Sequence, residues 1–257
     1  MCVLAFAWCI HPRWQLVAAG NRDELHARPA TPLARWDDAE HVLAGRDLQS
    51  GGTWLGVSER GRFASVTNLR GYEPPQPNAV SRGALLSDFL SGAGPRADPF
   101  SAELTEFNPF NLIVADRERA CFLSNRPESI RSTLAEGIYG LSNGALDEPW
   151  PKTMRLKASL LDWIVRDVGR PEVLLDALRD DTMPDVGVRV AVPSDVPQEP
   201  RLSPIFIRNP VYGTRCSTVV AIDVHGEGVI IERRYSPAGD AEGDTTLRFS
   251  WAETPDS

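Results

Sequence analysis

No stretch of this 257-residue sequence approaches the ~20 consecutive apolar residues of a membrane-spanning helix, so no integral membrane segment is expected. Basic residues are scattered: 27 Lys and Arg against 35 Asp and Glu give a net charge of -8. The densest basic point, Glu232-Arg233-Arg234, is too short for the phosphate-neutralising stripe of a nucleic-acid binder, which sets that class aside. Four histidines, His11, His26, His41 and His225, form no H-x-x-x-H or H-E-x-x-H, so no metal site is indicated. Four cysteines, Cys2, Cys9, Cys121 and Cys216, form no C-x-x-C pair, which leaves neither zinc spacing nor a disulfide framework. A reducing, cytoplasmic location is the default. The apolar opening MCVLAFAWCI has no basic n-region and runs into His11-Pro12-Arg13 without a small-residue cleavage site, so it reads as a strand rather than a leader.

What is present is an ordinary globular composition, 42% hydrophobic and 24% charged, long enough to bury a sizeable core. Hairpin signals recur. Val3–Cys9 and Gln15–Ala19 flank a Pro-containing turn. Thr53–Ser58 pairs with Phe63–Asn68, Asn111–Asp116 with Ala120–Ser124, and Ser217–Val224 with Val229–Arg234. A last strand lies near Thr246–Ser250. Helices are expected at Ser81–Leu90, Pro99–Phe107, Pro151–Val168 and Glu172–Leu178. In the third, Met154, Ala158, Leu161, Val165 and Val168 recur at steps of three and four, an apolar stripe predicted to face the core. Pro-rich Asp185–Pro210 reads as a long surface loop. The pattern predicts an α+β fold, antiparallel sheets with helices on their outer faces, as one domain spanning 1–257.

Three catalytic readings compete. Gly140-Leu141-Ser142-Asn143-Gly144 fits G-x-S-x-G, but that elbow needs a helix at once and an oxyanion loop, and here "ALDEPWP" intervenes. The scattered histidines do not assemble a metal. Cys2 remains. It is either the first residue of a buried strand or, once Met1 is removed, an N-terminal nucleophile. An α-amine of pKa roughly 7.7–8.0 would then serve as general base a few bonds from the thiol. Such a site needs a carboxylate and oxyanion donors. Asn21-Arg22-Asp23-Glu24 at the end of the second strand, the strand endings "SVTN" and "YGLSN", and Arg215 in "YGTRC" offer them; each taken singly also reads as turn or surface chemistry.

The stretches "MCVLAF", "AGNRDE", "GGTWLGVSERGRFASVTNLR", "SRGALL", "FNLIVAD", "YGLSNGALDEPWPK" and "YGTRCST" together resemble the NRDE family, that of the transport and Golgi organisation protein. That family in turn resembles cysteine N-terminal nucleophile (Ntn) hydrolases such as penicillin V acylase and bile-salt hydrolase. The resemblance implies a four-layer αββα sandwich, two antiparallel sheets between helix layers. It also implies a site of Cys2 as nucleophile, Asp23 orienting its amine, Asn68 and Asn143 at the oxyanion and Arg215 in electrostatic support. Asn21, Arg22 and Trp54 would bind substrate. The bond cleaved would be an amide or thioester of a small or acyl-bearing molecule, with no cofactor required. One position departs: the acylases carry Arg where Gly20 stands, and Arg22 is expected to point to the opposite face. The family also implies haem or acyl-lipid trafficking. The rival expectation is therefore a non-catalytic carrier that holds haem in the same cleft, beside Trp8, Trp54 or Trp150, and delivers it to an acceptor protein.

Overall fold

The computed structural model describes residues 2–72, 76, 79–184 and 203–251. The chain begins with β1 (Cys2–Trp8) and β2 (Trp14–Leu25), which pair antiparallel across the Pro12 turn. A meander follows: β3 (Ala30–Trp36), β4 (Ala39–Asp47), β5 (Leu55–Ser58), β6 (Arg62–Asn68), β7 (Phe110–Ala115), β8 (Ala120–Ser124) and β9 (Ile130–Leu134). These seven strands lie side by side in chain order as one sheet. The other sheet has the order β10-β1-β2-β11-β12-β13, with β10 (Gly137–Leu141), β11 (Tyr212–Asp223), β12 (Glu227–Tyr235) and β13 (Ala241–Ser250). Helix α1 (Arg82–Ser91) covers the seven-stranded sheet, while α2 (Pro151–Val165) and the short α3 (Leu174–Ala177) cover the six-stranded one.

Side-chain alternation builds the layers. Along β1, Leu4, Phe6 and Trp8 point into the space between the sheets, where Phe6 meets Phe63 of β6 at 5.6 Å between ring centroids. Val3, Ala5 and Ala7 point the other way, onto Leu156, Leu160, Trp163 and Ile164 of α2. Both faces of β1 are thus buried, which explains a strand that is apolar at every position instead of at alternate ones. A third core lies between α1 and the outer face of the seven-stranded sheet. Three cores between four layers make the αββα sandwich.

Several expectations change. The stripe on α2 is turned outward: Met154, Leu161 and Val165 are 49%, 48% and 74% exposed, and the buried face carries Lys152, Thr153, Leu156, Leu160, Trp163 and Ile164. Both sets have helical spacing, and the bulkier one, with Trp163, takes the core. The helix expected at Pro99–Phe107 is only a 3-10 turn at Leu104–Glu106. Local side-chain acceptors compete with helix there: Asp98 takes the Phe100 amide and Glu103 the Thr105 amide. Strands β3, β4 and β9, rich in polar or exposed residues, had no hairpin signal. Of the loop expected at Asp185–Pro210, residues 185–202 lie outside the described residues. In the remainder Ser203, Ile205 and Phe206 are buried, Phe206 edge-on to Tyr235 at 4.7 Å, and only Arg208–Pro210 are exposed as a surface loop would be.

Candidate functional site

The site grows from the register of β1 on β2. Cys2 lies opposite Arg22, and Arg22 lies opposite Cys216 on β11. Directly opposed residues share a face, so Cys2, Arg22 and Cys216 form one row turned toward the other sheet. Arg22 is 6% exposed; its guanidinium donates to Asp47 Oδ2 at 2.9 Å and lies 4.3 Å over the Trp54 ring. Asp47 also takes Arg28 Nε at 2.6 Å, and these contacts, opposed by burial, hold its carboxyl below the ordinary range. Cys2, Gly20, Arg22 and Trp54 border a cavity of about 20 Å³, room for about one water.

Gly20 is on the same face as Arg22, not the opposite one, because β2 runs unbroken to Leu25 and alternates with period two. A Cβ at position 20 would come within 3.0 Å of Leu4 Cδ1 and of the Val3 carbonyl. A side chain there would be tight and would need its neighbours to give by a few tenths of an ångström, and a guanidinium enters the same face two residues later.

Asn21 and Asp23 point outward, toward the helix layer. Asn21 Nδ2 donates to the Leu178 and Ile205 carbonyls, each at 2.8 Å, and its Oδ1 accepts from Ser217 at 2.6 Å. Its amide is committed to holding the outer segments, and the structure does not direct it into the cavity. Asp23 is buried and accepts from the Thr214 hydroxyl at 2.6 Å. Burial pushes its carboxyl up, while Lys152, Thr214 and Arg70 pull it down.

Lys152 was not singled out in the sequence. It sits in the first turn of α2, 2% exposed, with Nζ 5.7 Å from the Trp150 ring centroid. Burial lowers its ammonium to about 8, against the opposing charges of Asp23 and Cys2. Cys2 also acts electrostatically on Arg70 and on Arg82 at the start of α1, both lowered mainly by burial. Cys2 and Asp23 therefore stand among three basic side chains from separate elements. The available signal was a lysine beside "PWP" at the opening of an otherwise amphipathic helix, on the face opposite the stripe.

Asn143 and Asn68 are brought together. Asn143 Nδ2 donates to the Asn68 carbonyl at 2.7 Å, the Arg70 amide donates to the Asn143 carbonyl, and Ser142 Oγ donates to the Cys2 carbonyl at 2.8 Å. These bonds tie the ends of β10, β6 and β1. Asn143 is buried and Asn68 exposed. Arg215, at a register shift in β11, donates from Nη1 to the Leu25 and Arg28 carbonyls, so it braces the turn after β2. Of the tryptophans, Trp54 borders the cavity. Trp8 lies in the inter-sheet core and Trp150 at the start of α2. Among the described residues no group of three or more His, Cys, Asp or Glu side chains is placed to hold a metal ion.

Residues 1–237 match the family described as Transport and Golgi organisation 2. The bovine Transport and Golgi organization protein 2 homolog is 34% identical, over 96% of this chain and 97% of its own. The human homolog is 33% identical, over 91% and 92%. The Drosophila melanogaster protein is 28% identical, over 90% and 91%. Among solved structures, a Caenorhabditis elegans ortholog of N-acylethanolamine-hydrolyzing acid amidase superposes with a TM-score of 0.50 at 13% identity, covering 85% of this chain and 92% of that one. Penicillin V acylase from Agrobacterium tumefaciens gives 0.50 at 13%, covering 91% and 83%. The architecture is thus Ntn-hydrolase-like.

Proposed function

The chain belongs to the Transport and Golgi organisation 2 family, and on that premise we propose that it is a cysteine hydrolase of amides or thioesters. The observation that carries this reading is the end of β1. Cys2 opens the strand opposite Arg22, one residue along β2 from buried Asp23, and its carbonyl is held by Ser142 beside Asn143. With Met1 removed, the Cys2 nitrogen becomes an amine whose ordinary pKa, roughly 7.7–8.0, suits a general base.

The α-amine takes the Cys2 thiol proton, and the thiolate adds to the substrate carbonyl. Asn143, which retains a second Nδ2 hydrogen, and the neighbouring Asn68 amide donate to the oxyanion. Collapse breaks the C–N or C–S bond, and the leaving group takes the proton from the ammonium. Water then adds to the Cys2 acyl thioester, returning its proton by the same amine and releasing the carboxylic acid. Asp23 orients the amine and Lys152 balances Asp23. Arg22 supplies the positive charge that the acylases carry at the position of Gly20. Arg215 acts at one remove, by fixing the turn between Arg22 and Arg28.

The test is intact mass before and after a reagent that condenses only with N-terminal cysteine, followed by an amide and thioester panel. Loss of Met1, one adduct, and turnover that falls at least about a thousandfold in Cys2→Ala are expected. Turnover that survives Cys2→Ala would sink the hydrolase reading. Stoichiometric haem or acyl-lipid binding by that variant, without turnover in either protein, would favour the carrier.

A further inference from the structure

A second concavity lies on the outer face of the seven-stranded sheet, at the start of β6. The proposed hydrolase site adjoins the end of that strand, at Asn68, about 20 Å away for six residues of strand. The groove has a volume of about 480 Å³, within the roughly 300–1,000 Å³ of small-molecule sites. Its floor is Val114 and Cys121, both buried, and its walls are the half-buried rings of Phe89 and Phe100. Beside the groove the segment after α1 is irregular, with only a 3-10 turn at Leu104–Glu106.

Cations surround the rings. Arg62 lies 5.4 Å over Phe89, and Arg119 lies 5.1 Å over Phe100. Arg62 Nη1 donates to the Phe89 carbonyl at 2.6 Å, and Arg60 Nη1 donates to the Ser91 carbonyl at 3.1 Å. Those bonds place two cations at the C-terminal end of α1, where the helix dipole favours them. Arg119 is held by Asp116, its Nε 3.6 Å from Oδ2, and both rings remain half-buried at the wall of the groove. The three guanidiniums face two carboxylates, Asp98 and Asp116, leaving one positive charge in excess on a chain of net charge -8. Asp116 Oδ1 takes the amides of Glu118 and Arg119 and its Oδ2 faces Arg119 Nε, while Asp98 takes the amide of Phe100. Each guanidinium fork carries further donors.

We propose that this groove binds a small aromatic monocarboxylate, its ring against Phe89 and Phe100 and its carboxylate on Arg62 and Arg119. A flat ring continues the two guanidinium–phenyl stacks, and a carboxylate matches the guanidinium fork in shape and neutralises the excess charge. The site is independent of Cys2.

The probe is 2-naphthoate, followed by its fluorescence with the full chain at neutral pH and low salt. Saturable one-to-one binding is expected. Arg119→Met should weaken it about tenfold, the value of a charge-assisted hydrogen bond, and neutral 2-methoxynaphthalene should bind weaker by a similar factor. Cys2→Ala should bind as the parent does. Phe100→Ala should also lose affinity; if that variant does not fold, Arg119→Met decides, because its side chain is 57% exposed. Absence of saturation at millimolar 2-naphthoate overturns the proposal. So does affinity unchanged in Arg119→Met, or affinity lost in Cys2→Ala.

Discussion

On the face of the six-stranded sheet turned toward its partner sheet, the end of β2 presents Gly20 and Arg22, in a row with Cys2 and beside a cavity that holds one water. On the face turned toward the helices it presents Asn21 and Asp23, locked to Leu178, Ile205, Ser217 and Thr214. Four consecutive residues read as one motif thus serve two environments, because a strand sends neighbours to opposite faces. The inner pair can meet a ligand, whereas the outer pair fixes the position of what the inner pair meets. Asp23 stands on the opposite face from the Cys2 side chain, so in the proposed chemistry it acts on the Cys2 α-amine and not on the thiol.

The division breaks most visibly at Asn21. In Asn21→Ala two buried carbonyls lose their donor and the Ser217 hydroxyl loses an acceptor, though Tyr235 remains beside it. At about 1–3 kcal/mol per unsatisfied group, partly relieved by rearrangement, the loss should be about 3–4 kcal/mol in urea unfolding. Labelling of the Cys2 thiol in the folded variant should keep its parental rate. A stability change under about 1 kcal/mol would mean that Asn21 does not anchor the outer layer.

Lys152 tests the same outer face by pH. Its ammonium is lowered from 10.5 to about 8 by burial. Between those values the unfolded chain holds the proton and the folded chain does not, so stability rises with pH across this window. Below about 8 both states are protonated, and the cost of the buried charge is fully present. Relative to Lys152→Met, the parent should gain about 3 kcal/mol between pH 8 and 10.5. Parallel stability curves for the two proteins would remove Lys152 from the buried electrostatic network.

On the inner face the expected loss is smaller. Arg22→Met removes one of two guanidiniums from Asp47, which keeps Arg28 and the amides of Gln49 and Ser50. About 1–2 kcal/mol should go, with the methionine still packed on Trp54. Thiol labelling of Cys2 should change in this variant and not in Asn21→Ala. The reverse pattern would exchange the roles assigned to the two faces.

Much of this was legible from residue order. The four hairpins declared themselves through apolar strands with turn chemistry between them, and the αββα layering followed from the family resemblance. What the sequence left open was direction. Period two puts Gly20 and Arg22 on one face, and the members of the constellation Cys2, Asp23, Asn68, Asn143 and Arg215 are not equivalent in the fold. Asn143 and Asn68 meet through a backbone carbonyl, and Arg215 turns to the carbonyls of Leu25 and Arg28. Strands β3 and β4 were missed because they carry Thr, Arg, Glu and His where hairpin signals expect apolar residues. Lys152 was invisible for a related reason: a lysine reads as surface unless tertiary contacts bury it.

The helix over this site supplies the smallest expected effect. α2 has two apolar faces, and only one can rest on β1. Leu156, Leu160, Trp163 and Ile164 win that position, and Lys152 is buried with them because it stands one turn before Leu156 on the same side. The regular stripe of Met154, Leu161 and Val165 faces outward by the same rotation. The arrangement of Lys152 against Asp23 therefore depends on which stripe is core. Leu161→Ala should change stability by less than about 0.5 kcal/mol, against the roughly 2–5 kcal/mol of a buried leucine. A loss in the larger range would rotate α2 onto its other face, carrying Lys152 away from Asp23 and Cys2, and the outer half of the proposed site would go with it.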